Sequence, residues 1–179
     1  MARIILVTGG VRSGKSSFAE KLLMYDQNVI YIATCPRIEG DTEIDKRVAR
    51  HQKRREKFGW KTVEEELDIA SLIKGSSSYI VECLTLWINN MMYEAQQRGG
   101  EMTEDDVKLR CKSLLKAVDN FSGKVVFVTN ETGMGIMPAN KTSRLFGDLA
   151  GRCNQIMAEA ADEVYVMVSG IPVKIKGKE

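Results

Sequence analysis

The sequence predicts an α/β domain whose mainly parallel sheet is flanked by helices. Three observations carry this expectation. Five short apolar, β-branched runs recur along the 179 residues, and stretches with helical periodicity fill the gaps between them. The first run also leads straight into a glycine-rich loop. Strands covered on both faces carry near-continuous apolar content, as these runs do, which is how a parallel sheet reads. Alternating strands and helices close by right-handed crossovers, and ligands of such open sheets bind at the carboxyl ends of the strands.

The first strand is "RIILVTGG" (3–10), and it runs into "GGVRSGKS" (9–16). The second is "VIYIAT" (29–34), followed by a polar, alanine-containing stretch that Asp41 and Thr42 cap, giving a helix from about 42 to 57. "YIVECL" (79–84), "KVVFVTNE" (124–131) and "EVYVMVSG" (163–170) supply three more strands. Val107, Cys111, Leu114, Leu115, Val118 and Phe121 recur at helical spacing, as do Leu145, Phe146, Leu149, Cys153, Ile156, Met157 and Ala160. These stripes read as core and are assigned no chemistry. The tail "GIPVKIK" reads as a short last strand antiparallel to the fifth.

Composition narrows the function classes. A net charge of +2 is too small for a general nucleic-acid binder, so positive charge should serve one site. No apolar run approaches the roughly 20 residues of a membrane span, and the N-terminus reads as a strand, not a cleavable signal. Cys35, Cys83, Cys111 and Cys153 are scattered without a CxxC pair, so zinc is not expected and free thiols in a cytoplasmic protein are. One domain, residues 1–179, is expected.

Chemistry enters with Gly9, Gly10, Val11, Arg12, Ser13, Gly14, Lys15 and Ser16, which match the phosphate-cradling pattern GxxxxGKS between a strand and a helix. Backbone N–H groups and the helix N-terminus would hold phosphates, Lys15 would bridge the outer ones, and the Ser16 hydroxyl would reach Mg²⁺. A carboxylate near that metal is also needed. Glu82 at the end of "YIVE" is the favoured candidate and Glu131 the second. His51 is the one histidine, and the stretch from Lys46 to Lys57 holds seven lysines and arginines. Alone it reads either as part of a solvated basic helix face or as a nucleophile set where phosphates arrive. Arg47, His51 and Arg55 share a face at spacing four.

Further stretches are more specific than the glycine-rich loop. "YIAT", "DTEIDKRVARHQKRR", "WKTVEEE", "ECLTLWINN", "TNETGMGIMP" and "FGDLAGRCNQIMAEAADEVYVMVSGIPVKIK" occur in that order. Together with the loop they resemble the bifunctional adenosylcobinamide kinase / adenosylcobinamide-phosphate guanylyltransferase family of cobalamin biosynthesis, over about residues 3–176. The resemblance implies a P-loop NTPase fold of RecA-like type. It implies phosphorylation of adenosylcobinamide by GTP or ATP with Mg²⁺. It then implies transfer of GMP from GTP through a covalent intermediate on His51 to adenosylcobinamide phosphate. By the same matching, nucleotide contacts fall on Thr34, Cys35, Pro36, Gln52, Lys53, Arg54, Arg55, Glu64 and Glu82, and a homotrimer is expected. For Lys53 and Arg54 a solvated-surface role stands beside the ligand role. "TLWINNMMYEAQQ" (85–97) could serve either as a subunit contact through Trp87, Met91 and Met92 or as a core helix.

Two other readings compete. A P-loop kinase without guanylyl transfer predicts no covalent GMP. A RecA-like ATPase gripping nucleic acid predicts steeply salt-dependent binding.

Overall fold

The computed structural model describes residues 2–36, 40, 42–75 and 77–177, without the side chains of residues 43, 44, 45, 47 and 54. The elements in order are β1 (Arg3–Gly9), α1 (Lys15–Leu22), β2 (Val29–Ala33), α2 (Thr42–Glu56), β3 (Lys61–Glu64), α3 (Ile69–Leu72), β4 (Ser78–Glu82), α4 (Leu84–Gln97), α5 (Glu104–Asp119), β5 (Lys124–Val128), α6 (Lys141–Ala160), β6 (Glu163–Val168) and β7 (Ile171–Lys176). The strands form one sheet in the order β3-β2-β4-β5-β1-β6-β7. Every pairing is parallel except β6 with β7, as the sequence predicts for the tail.

Side chains alternate between the two faces of each central strand. Ile4, Leu6, Tyr79, Val81, Val125 and Phe127 enter one apolar layer with Trp87, Ile88, Leu114, Leu149 and Met157. Ile5, Val7, Tyr31, Ile80, Val126 and Val128 enter the other with Ala19 and Leu23. Burial on both faces is why these strands read as unbroken apolar runs. Cys111 and Cys153, assigned to the core, meet there with their sulfurs 3.6 Å apart as free thiols.

The structure departs from the sequence expectations in two places and narrows them in a third. β3 lies within "WKTVEEE", where no strand is expected. It is an edge strand with mostly exposed side chains, so it needs no apolar run. β5 ends at Val128, so Glu131 sits in the following loop and not at a strand tip. Of the two roles open to "TLWINNMMYEAQQ", the core helix is realised. Trp87 and Met91 are buried, and the Trp87 indole donates to the Leu67 carbonyl at 2.8 Å. Met92, the third residue of the expected contact, is only partly buried. The Asp41 cap lies outside the described residues.

Candidate active site

The loop after β1 has the form that anion binding demands. Gly9 takes φ 142° and Gly14 φ 99°. A Cβ on Gly9 would stand 2.6 Å from the Met167 carbonyl oxygen, so only glycine lets β1 turn there against β6. Gly14 caps α1, whose first turn carries no acidic residue, leaving its N–H groups and dipole open to a negative ligand. Lys15 is largely buried and arches back over its own loop, its Nζ donating to the carbonyls of Gly9 at 3.0 Å and Gly10 at 2.6 Å. The buried hydroxyls of Thr8 and Ser13 lack a hydrogen-bond partner beside it. Gly10, Val11 and Arg12 form the exposed lip. A cationic head, a helix N-terminus and orphaned hydroxyls suit a phosphate chain.

Glu82, the last residue of β4, stands two strands from β1 and in register with Val128 and Ala33. One carboxylate oxygen accepts the Ser16 hydroxyl, and the other accepts the Tyr31 hydroxyl at 2.6 Å. Burial, then the neighbouring Glu82 charge, raises the Tyr31 phenol well above its usual value, so it stays protonated and donating. Ser16 and Glu82 thus bring a hydroxyl and a carboxylate together at the mouth of the phosphate loop. Such hard oxygen donors suit Mg²⁺, which keeps much of its water and takes few protein ligands. Glu131 meets the same loop through its backbone, its N–H donating to the Gly9 carbonyl at 3.2 Å.

The β2 and β4 tips are locked to each other. Thr34 is fully buried; its hydroxyl donates to the Cys83 carbonyl at 2.8 Å and accepts the Cys83 N–H at 2.7 Å. The Glu82–Cys83 peptide is cis. Asn90 of α4 donates to the carbonyls of Thr34 at 2.8 Å and Glu66 at 3.1 Å. Burial pushes the Cys83 thiol up to about 11, so it is no nucleophile. Half-buried Cys35 and Pro36 continue from Thr34 at the same edge.

α2 carries the basic run. His51 is half-buried, whereas Gln52 and Lys53 are exposed. Arg55, one turn beyond His51, is only 5% exposed, with its guanidinium 3.5 Å from the centre of the Tyr31 ring. Its Nε and Nη1 have no hydrogen-bond partner. The side chains of Arg47, expected on the face of His51, and of Arg54, a candidate nucleotide contact, lie outside the described ones. Glu64 ends β3, exposed and in register with Ala33.

The structure therefore brings Gly9–Ser16, Thr34, Glu82 and Arg55 to one edge through direct contacts. Tyr31 and Asn90 do this joining, and sequence reasoning assigns neither. The only clue to Tyr31 is a phenol inside a buried strand, which must find a hydrogen-bond partner.

Two remote folds share this architecture. An ATPase from the type III secretion system of pathogenic bacteria superposes with a TM-score of 0.58 at 11% identity, over 92% of this chain and 50% of that one. The ATP synthase subunit NeqB from Nanoarcheaum equitans gives 0.56 at 10% identity, over 92% and 45%. These bear out the P-loop α/β fold and nothing finer. Sequence comparison reaches further. The bifunctional adenosylcobalamin biosynthesis protein CobU of Escherichia coli (strain K12) is 40% identical over 186 residues, covering 97% of this chain and 99% of that protein. CobP of Pseudomonas aeruginosa, with the same bifunctional description, is 35% identical over 97% of both chains. The sequence model for cobinamide kinase / cobinamide phosphate guanyltransferase matches residues 5–175, from the first strand to the last, and so the chain belongs to that family.

Proposed function

We propose that this bifunctional kinase and guanylyltransferase carries the guanylyl group on His51 between its two substrates, GTP and adenosylcobinamide phosphate. One observation chiefly supports this. An unbroken line of contacts runs from the histidine helix to the phosphate loop: Arg55 on the Tyr31 ring, Tyr31 on Glu82, Glu82 on Ser16. A basic helix serving only as a solvated surface has no need of a buried arginine there.

In the kinase step the aminopropanol hydroxyl of adenosylcobinamide attacks the γ-phosphorus of GTP or ATP. The bond to the β-phosphate oxygen breaks, and the nucleoside diphosphate leaves. Lys15 and the loop N–H groups hold the phosphates, so positioning supplies most of the catalysis. In the second step an imidazole nitrogen of His51 attacks the α-phosphorus of GTP, and pyrophosphate departs with the α–β bridging oxygen. The phosphate of adenosylcobinamide phosphate then attacks that phosphorus, and the nitrogen–phosphorus electron pair returns to the ring. The basic run around His51 would favour the leaving pyrophosphate. Ser16 and Glu82 would hold Mg²⁺, which when bound neutralises phosphate oxygens. Thr34, Cys35, Pro36, Gln52, Lys53, Arg54 and Glu64 remain nucleotide-site candidates by resemblance. A cytoplasmic homotrimer and a reaction free of nucleic acid are proposed on the same resemblance.

The decisive experiment incubates the protein with α-labelled GTP and Mg²⁺. Wild type should acquire acid-labile, alkali-stable label, and His51→Ala should acquire none while retaining phosphorylation of adenosylcobinamide. An unlabelled wild type defeats the guanylyl-histidine assignment in favour of a simple kinase.

A further inference from the structure

We infer that Tyr31 is a positioning residue with two separable duties: its hydroxyl aims the Glu82 carboxylate at Ser16, and its ring seats Arg55 from the histidine helix. The inference rests on the functional reading above and adds a residue that neither the motif nor the basic helix contains.

Tyr31 lies mid-strand in β2, 3% exposed, in the apolar layer that also holds Ala19 and Leu23. A tyrosine chosen only to fill that layer could be phenylalanine. Here the hydroxyl takes the Glu82 oxygen that Ser16 does not, so the carboxylate is gripped at both ends and cannot rotate away from the loop. Hydrogen bonds to charged groups are the strong ones, so this grip is substantial. The ring meanwhile faces a guanidinium buried without partners for Nε and Nη1. A desolvated arginine with unpaired N–H groups is unfavourable unless something compensates. The aromatic face compensates in part. One side chain thus touches the carboxylate beside the phosphate loop and the arginine one turn from His51.

Tyr31→Phe removes the first duty and keeps the second, while Tyr31→Leu removes both. GTP binding is titrated calorimetrically with and without Mg²⁺, and His51 labelling is followed in a single turnover at saturating Mg²⁺. For Tyr31→Phe, the gain in GTP affinity conferred by Mg²⁺ should fall about tenfold, the loss expected for one hydrogen bond to a charged group. Its labelling rate should stay within about twofold of wild type, because the ring contact survives. Tyr31→Leu should lose about a further tenfold in labelling. If Tyr31→Leu does not fold, Tyr31→Met, which fills more of the same layer without a ring, reads the same contact. An unchanged Mg²⁺ increment in Tyr31→Phe overturns the first duty. Equal labelling by Tyr31→Phe and Tyr31→Leu overturns the second. A uniform fall of every readout in step with the melting temperature reduces Tyr31 to a core residue and overturns both. A wild type that never labels would sink the His51 assignment, yet the affinity titration would still decide the hydroxyl's role.

Discussion

Two glutamates in this sheet each accept a tyrosine hydroxyl at 2.6 Å, Glu82 from Tyr31 and Glu163 from Tyr165, and they lie at opposite edges. Glu163 starts β6 at the amino end of the sheet, where Arg3 and Lys174 both pair with it. Glu82 ends β4 at the carboxyl end and receives hydroxyls from Ser16 and Tyr31. Burial would raise the Glu163 carboxyl, but hydrogen bonds from Tyr165, Arg3 and Lys174 outweigh it and hold the group at about 2. Burial and the Glu163 carboxylate push Tyr165 up to about 12. A carboxylate already matched by two cations has no charge left to offer. One oriented by neutral donors keeps its charge for an incoming cation. The same pair of residue types is thus a closed structural corner at one edge and an open site at the other.

Three substitutions would break or sharpen that contrast. The largest effect belongs to Glu82→Gln, which keeps the shape and removes the charge. Nucleotide-dependent turnover should fall by about 10²–10³, as when a preorganised electrostatic group is lost, with little change in melting temperature. Turnover near wild type would mean that the Glu82 charge is idle. Glu163→Gln should do the reverse. Because the folded carboxyl is held at about 2 and the unfolded one titrates near 4.5, its stabilisation is complete above about pH 4.5 and fades as pH falls toward 2. Urea titrations at several pH values should show that acid-limb slope flattened in the variant, with kinase activity intact. A retained slope would assign acid sensitivity elsewhere. The smallest effect is expected from Tyr165→Phe. Arg3 and Lys174 still neutralise Glu163, so stability should drop by only about 0.5–1.5 kcal/mol and the Mg²⁺ dependence should not move. If it did move, the two tyrosines would not differ in kind.

Much of this organisation is legible in the residues. "GGVRSGKS" announces its loop because strand, glycines and helix must coincide for phosphates to be held, and Glu82 stands out as a charge ending an apolar run. The central strands read clearly because both faces are covered. β3 does not, since an edge strand carries polar side chains without penalty. Tyr31 is invisible for a different reason. Its partner is 51 residues away, and no local periodicity encodes which strand tip lies beside which. The burial of Trp87 and Met91 likewise depends on which face of α4 meets the sheet, a fact of packing and not of hydrophobicity.

The hairpin between β6 and β7 looks like a spare margin of the molecule, yet it packs against the glycine-rich loop. Ser169 and Gly170 make its tight turn with φ of 51° and 87°, and the Gly170 N–H donates to the Ser13 carbonyl at 2.9 Å. Any side-chain carbon added at Gly14 would come within 3.2 Å of the Gly170 Cα. An engineer seeking a place to splice in an epitope or fluorophore would be drawn to this exposed bend. Lengthening it would loosen the brace behind the glycine-rich loop.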